Sequence, residues 1–500
     1  MFYINSPKVL LYQGKSFDIR DFLFIYNDDS LKDIVGRLYK KYLNVFESEI
    51  NNKNNNKKII VSLKIDNLES LQNFPSNEAY YLNSNIDFVE IVAKTKRALI
   101  SGLTNFIYNA ILNKHLSSYE VIDYPTIKER RVHLDCGRKY FTKNWIINLL
   151  DFMSDLNLNT LNFHFSDNKG YRIESKVAPE IVSNDGYLTI NEVSEILEYA
   201  ENLDIKIIPS FDTPGHVDHI LRIHPEYALK SINQKPSKIA LDITSKDAVD
   251  FVKSLYKEHL SIFKKQDEFH IGGDEFMEFH KDEFIEEYQP VLDKFAHEKY
   301  GKEYSWKDAF VGYINEIYDL FTSNSKKVRI WNDGIYYGEI NESIPKQIIK
   351  PSKDINIDYW CIMSWTKNVV PVDLFIKEGY KNIYNSNSDY LYYVLREQMP
   401  EDGRAMHSWN FNNAYLKIFN EWSPGKFSGT VLEDNNPIVK GTSISIWCDN
   451  QNIASEIEIF NDIIKEFIVF SLNNHDIVKE NFRHIVEKIH ELEDLFKISL

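Results

Sequence analysis

Apolar residues near the start of the chain recur with two different periods. Leu31, Ile34, Val35, Leu38, Tyr42 and Val45 repeat at helical spacing, so the pattern predicts a helix over 31–46. The compact apolar runs Ile59-Ile60-Val61-Ser62-Leu63 and Phe88-Val89-Glu90-Ile91-Val92 predict strands. Between them the polar tract Asn51-Asn52-Lys53-Asn54-Asn55-Asn56-Lys57-Lys58 reads as a solvated loop. A further amphipathic segment at 102–112 closes this part of the chain, and Tyr124-Pro125 marks a boundary. Residues 1–124 are therefore expected to form a small α+β domain.

From Arg130 onward, short apolar runs alternate with longer helical patterns, the signature of parallel βα units. The strand candidates are Val132-His133-Leu134, Thr160-Leu161-Asn162-Phe163, Lys206-Ile207-Ile208 and Glu268-Phe269-His270-Ile271. They continue with Val328-Arg329-Ile330, Asp358-Tyr359-Trp360, Asn382-Ile383-Tyr384 and Ser443-Ile444-Ser445-Ile446. Thr189-Ile190-Asn191-Glu192 has the spacing of a capping box before the helix that ends near Leu203. Eight such units suit a (β/α)8 TIM barrel better than an open doubly wound sheet, and no phosphate-cradling glycine fingerprint is present. The expected fold is an α/β TIM barrel over 125–500 that carries C-terminal helices at 456–470 and 477–500. Segment 396–440, with Trp409 and Trp422, is expected to be a packed loop insertion, or else a lid or sugar subsite.

Composition narrows the partners. A formal charge of −16 disfavours nonspecific nucleic-acid binding, which needs clustered cations. The 43% hydrophobic content is enough for a large core, yet no apolar run is long enough to span a bilayer. Cys136, Cys361 and Cys448 are widely spaced and read as small core residues in a reduced compartment. Met1-Phe2-Tyr3-Ile4-Asn5-Ser6-Pro7-Lys8 has no basic region followed by an apolar one, so a cytoplasmic protein is expected.

A barrel carries its chemistry just after its strands, and polar residues stand there in every unit. The stretch Phe269-His270-Ile271-Gly272-Gly273-Asp274-Glu275-Phe276 bends on two glycines and then presents paired acids, which suit acid/base work or simply cap the next helix. Around it stand Asp135 and Arg138, His164 and Asp167, Asp212 and His216, Trp331 and Asp333, Trp360, Tyr390, Trp447 and Asp449. Tryptophans with convergent carboxylates suit a sugar ring, whose C–H faces stack on indoles while its hydroxyls take charged hydrogen bonds. A metal site formed by His164, Asp167, Asp212 and His216 is the competing reading. It leaves the tryptophans unexplained and lacks a His-x-His after the first strand, so no cofactor or metal is expected.

The residues carry a resemblance. His270-Ile271-Gly272-Gly273-Asp274-Glu275 resembles the catalytic signature of glycoside hydrolase family 20, the β-N-acetylhexosaminidases. Arg130 with Leu134-Asp135 and Arg138, His164 with Asp167, and Asp212-Thr213-Pro214-Gly215-His216 match in the same order, and Asn77 to Leu103 resembles the domain that precedes the barrel. The resemblance implies an exo-acting, retaining glycosidase that releases terminal β-linked N-acetylhexosamine through an oxazolinium, with the substrate's acetamido oxygen as nucleophile. Glu275 would be the general acid and base and Asp274 the group that steadies the acetamido N–H. Trp331, Trp360 and Trp447 would wall that pocket, Tyr390 would bond the carbonyl, and Arg130 would hold the distant hydroxyls. Asp167, Asp333 and Asp449 are counted with the substrate contacts, and His164, Asp212, His216 and His270 are expected to orient the catalytic pair. Trp365 is expected to be packing. Tyr392 and Asp449 depart from the family pattern at positions that touch outer hydroxyls, so the resemblance leaves gluco against galacto preference open and allows a disaccharide as the released unit; a silent carbohydrate-binding protein on the same scaffold is the alternative of another class, disfavoured by the presence of both acids and the three tryptophans.

Overall fold

The computed structural model describes residues 7–52, 58–66, 69–72, 74, 76–395, 414–475 and 482–497. Eight parallel strands close into a barrel: Glu129–Asp135, Thr160–Asp167, Lys206–Thr213, Glu268–Gly272, Lys327–Trp331, Asn356–Tyr359, Ile383–Asn385 and Val439–Trp447. Each pairs with the next, and the eighth returns to the first through Ser443 opposite Arg131 and Ile444 opposite Val132. Every strand read from the sequence after Arg130 lies in or overlaps one of these. Their residues are buried on both faces, so each reads as a continuous apolar run.

The capping box is formed as expected: Thr189 accepts from Glu192 N–H, and the Glu192 carboxylate accepts from Thr189 N–H, opening the helix Ile190–Asn202. The C-terminal helices run Glu456–His475 and Phe482–Lys497. Among the described residues, no helix is long and apolar enough to cross a membrane.

The small domain is a six-stranded mixed sheet in the spatial order Val9–Phe17, Leu116–Asp123, Tyr80–Ser84, Phe88–Ala93, Ile59–Ile65 and Phe22–Tyr26. The expected helix runs Lys32–Asn52, into the tract expected to be loop, and residues 53–57 of that tract lie outside the described residues. Helix Lys96–Asn113 corrects the amphipathic expectation. Arg97 to Leu112 are all buried, because the helix lies between the sheet on one side and barrel helix Lys143–Asp155 on the other. Polar contacts close the junction. Arg37 reaches Asp155 at 2.7 Å, His475 reaches Asp123 at 2.8 Å, and Arg130 reaches Glu78 at 2.6 Å.

Toward the start of its strands the barrel interior is ionic. Arg329 is fully buried and contacts Glu129 at 2.7 Å, Glu268 at 2.8 Å and Asp358 at 3.3 Å, while Arg131 reaches Asp358 at 2.6 Å. One guanidinium thus joins carboxylates from the first, fourth and sixth strands, and its removal strands buried charge. Arg329→Leu is expected to lower unfolding free energy by about 3–5 kcal/mol, read from urea denaturation. A loss within experimental error would show that the cluster relaxes without it.

Candidate active site

The fourth strand ends in a turn that only glycine permits. Gly272 and Gly273 have φ of 80° and 87°, and a Cβ on Gly272 would lie 2.7 Å from the Asp212 Cα. The strand end therefore presses against the third strand before the chain reaches Asp274 and Glu275. The acids do not cap a helix, since the next helical residues begin at Asp282. Glu275 itself has φ 40°, a strained value for a residue with a side chain. Its N–H donates to Asp333 Oδ2 at 2.9 Å, and Trp360 Nε1 donates to the other Asp333 oxygen at 2.9 Å. Asp333 therefore fixes both the acid's backbone and an aromatic wall.

The pair opens into a cavity of about 950 Å³ whose lining includes Arg138, His216, Trp331, Trp360, Tyr392, Trp447 and Asp449. Asp274 is buried and the Glu275 side chain is 49% exposed. Trp360 and Tyr392 lie parallel at 4° with centroids 6.1 Å apart, and Tyr392 meets Trp447 at 5.7 Å. Among the described residues, Asp274 Oδ1 and the indole N–H groups of Trp331 and Trp447 are buried without a hydrogen-bond partner. A cavity of similar volume, about 930 Å³, lies at the opposite mouth among paired groups such as Lys206 and Glu268. That is the face where barrels carry stability, so its size does not make it the site.

A relay of charge runs beneath the cavity. His164 Nε2 lies 2.8 Å from Asp167, His216 Nδ1 lies 3.0 Å from the other Asp167 oxygen, and His216 Nε2 reaches Asp274 at 3.3 Å and Glu275 at 3.5 Å. Burial opposes charge on His216, but Asp274 and Asp167 outweigh it and hold the imidazole well above its ordinary pKa. The reciprocal effect holds Asp274 below the usual carboxylate range despite burial. Burial, reinforced by Asp274, pushes Asp333 up to about 7. Asp212 is likewise raised to about 7 by burial, against the pull of His164.

The structure redistributes several expected contacts. Asp274, Glu275, Trp331, Trp360, Trp447 and Asp449 all line the cavity, and His216 joins them rather than standing behind. Asp167 and Asp333 do not line it. Asp167 is committed to Arg138, His164 and His216, and Asp333 to Glu275 and Trp360. His164 and Asp212 lie 3.7 Å apart below the cavity. His270 accepts from Gly272 N–H at 3.1 Å and packs against Trp331 at 4.8 Å, so it braces the wall.

Two assignments are corrected. Arg130 faces the other mouth, where it bonds Glu78 and the Asn157 and Ile127 carbonyls, because it stands at the start of its strand. Arg138, beyond the end of that strand, is the arginine in the cavity, paired with Asp135 at 2.9 Å. Tyr390 lies in the turn before strand Tyr392–Val394 and points out between Lys417 and Lys426, so Tyr392 takes the cavity position. Alternation along that short strand was the available signal, since Tyr392 and Val394 share the cavity side while the Tyr393 hydroxyl turns away to Asp462.

Trp365 is not packing: it is 67% exposed at the cavity rim. Trp422 is buried against Phe470, which removes it as a sugar contact, and Trp409 lies outside the described residues. Asp135, His164 and Asp167 lie close enough to share an ion. Arg138 already bridges the two carboxylates at 2.9 and 3.0 Å, and that guanidinium supplies the positive charge the metal reading required.

Residues 128–460 match the model of glycosyl hydrolase family 20, catalytic domain. The chain belongs to that family. It is 28% identical over 395 residues to a lacto-N-biosidase of Bifidobacterium bifidum, covering 77% of this chain and 32% of that protein. It is 26% identical over 388 residues to β-hexosaminidase subunit A2 of Dictyostelium discoideum, covering 74% of this chain and 65% of that one. It thus spans about a third of the first relative's length and just under two thirds of the second's. The fold matches a β-N-acetylhexosaminidase from Bacteroides fragilis with a TM-score of 0.74 at 18% identity, over 98% of this chain and 94% of that one. An exo-β-N-acetylglucosaminidase from Vibrio harveyi in complex with N-acetylglucosamine gives 0.71 at 17% identity, over 98% and 76%.

Burial disfavours the charged form of His164, but Asp212, Asp167 and Asp135 together outweigh it and raise its pKa to about 9. The folded value exceeds the ordinary 6.5, so this contribution to stability is fully present below pH 6.5 and is lost as pH rises through about 9. The midpoint of thermal unfolding is expected to fall across that window in the native chain and to fall less in His164→Asn. Equal slopes would show that His164 carries no such charge.

Proposed function

We propose that this chain is an exo-acting, retaining glycosidase that removes terminal β-linked N-acetylhexosamine by substrate-assisted catalysis. One observation carries the reading. Asp274, one of whose oxygens is buried without a partner, lines a box of three tryptophans and a tyrosine, with a half-exposed Glu275 immediately after it. An aromatic-walled box with a carboxylate acceptor beside it is complementary to an acetamido group, whose methyl packs on indole and whose N–H needs a partner.

The chemistry follows from charge. The acetamido oxygen attacks the anomeric carbon from within the substrate as Glu275 gives its proton to the departing oxygen. Positive charge then develops on the amide nitrogen, beside Asp274. His216 keeps Asp274 ionised and is itself held charged between two carboxylates, so the stabilising anion is in place before the reaction. Glu275, now a base, draws a proton from water, which opens the oxazolinium and restores the β-configuration. Arg138 and Asp449 supply polar contacts for ring hydroxyls on the far side of the cavity.

Release of a disaccharide is a second reading, favoured by a cavity near the upper end of the small-molecule range and by the short Asp449 side chain in its wall. The printed name of the Bifidobacterium bifidum relative points the same way.

Glu275→Gln is expected to lower kcat on natural glycosides by about 10²–10⁴-fold while sugar binding persists. Asp274→Asn is expected to abolish inhibition by a thiazoline mimic of the oxazolinium. Full activity of Glu275→Gln would overturn the assignment of the acid. Products from defined glycans ending in GlcNAc, GalNAc or lacto-N-biose separate the two readings, and no cleavage of any of them would leave a silent carbohydrate-binding protein.

A further inference from the structure

The sheet of the small domain has two edges, and they are not alike. At one, strand Val9–Phe17 carries Lys15 and two register shifts against Leu116–Asp123, devices that keep an exposed edge from pairing with another chain. At the other, strand Phe22–Tyr26 reads Phe-Leu-Phe-Ile-Tyr, with no charge, no proline and no register shift against Ile59–Ile65. Among the described residues, no strand pairs with its outer side. Leu23 and Ile25 are half exposed there, and Ile60, opposite Leu23, continues the same apolar strip.

The backbone of this strand is only half used. Ile59 N–H donates to the Asp21 carbonyl and the parallel ladder runs on in unbroken register, so the odd-numbered residues of the strand bond inward. The N–H and C=O groups of Phe24 and Tyr26 and the C=O of Phe22 therefore point outward, while Phe22 N–H is met by the Asp21 carboxylate at 2.8 Å. We propose that this edge is the contact of a two-fold dimer, in which Phe22–Tyr26 pairs antiparallel with the same strand of a second copy, centred on Phe24. The surface lies in the small domain and is independent of the glycosidase reading.

The strand is complementary to itself in that register. Phe24 of each copy exchanges two backbone bonds with Phe24 of the other, and Tyr26 N–H of each donates to the Phe22 carbonyl of the other. Leu23 falls opposite Ile25 on the exposed face, so the two copies merge Leu23, Ile25 and Ile60 into one covered apolar strip. Beyond the strand ends, Arg20 of one copy falls opposite Asp28 of the other. The uncharged strand by itself would accept any extended peptide, and the opposed charges at its two ends select an antiparallel copy of this chain. Pairing stops at two, because the edges left outside are the guarded ones. The contact is small, so association belongs in the micromolar range.

Sedimentation velocity of the full chain, at concentrations rising through the micromolar range, tests this. The native chain is expected to pass from monomer to dimer and no further. Ile25→Lys and Leu23→Glu are each expected to raise the dimer dissociation constant by about tenfold, and the exposed positions leave thermal unfolding unchanged. Mixing the two variants is expected to restore association, because the antiparallel register sets the two introduced charges opposite each other. A native chain that stays monomeric throughout would overturn the proposal. A dimer that neither substitution weakens would place the contact elsewhere and overturn it equally. Failure of the mixture to recover would overturn the register, and species larger than two would overturn the closed pair.

Discussion

The site depends on one cation held between two buried acids. His216 bridges Asp167 and Asp274, and its charge is the main influence that holds the buried Asp274 carboxyl below the usual carboxylate range. Because Asp167 is in turn held by Arg138 and His164, the charge on Asp274 is set by groups from the first three barrel strands and the loops that follow them. Barrel closure brings those strands together, and the Gly272 turn delivers Asp274 to the end of the relay. The local geometry of the pair is therefore a consequence of global topology.

The same logic explains the oddities nearby. Glu275 holds a backbone conformation that a side chain disfavours, and Asp333 secures it through its N–H. Asp333 also holds Trp360, so the acid and the aromatic wall share one anchor. A buried carboxylate with a pKa near 7 costs stability when ionised, and its presence here reflects positioning rather than folding.

The barrel was legible because its strands are buried on both faces and separated by helices with clear periods. The small domain was only half legible. Val9–Phe17 is an edge strand, mostly exposed, and carries no alternation to read. Most of the site followed from residues placed just after strands, but that rule cannot say where a strand begins or how long a turn is. Arg130 stands at the start of its strand and faces the wrong mouth, while Arg138 stands past its end. Tyr390 and Tyr392 differ only in which side of a turn they occupy. Trp365 was dismissed because exposure, its informative property, leaves no trace in sequence.

Helix Lys96–Asn113 has a consequence for how the molecule is divided. It belongs by sequence to the small domain and by contact to both halves, and it has no face suited to water. Tyr124-Pro125 is thus a boundary in topology but not in solvation. A barrel freed at that point would expose the surface this helix covers, and the freed partner would carry an unshielded greasy rod prone to clumping. The two halves are best regarded as one folding unit with a shared interior.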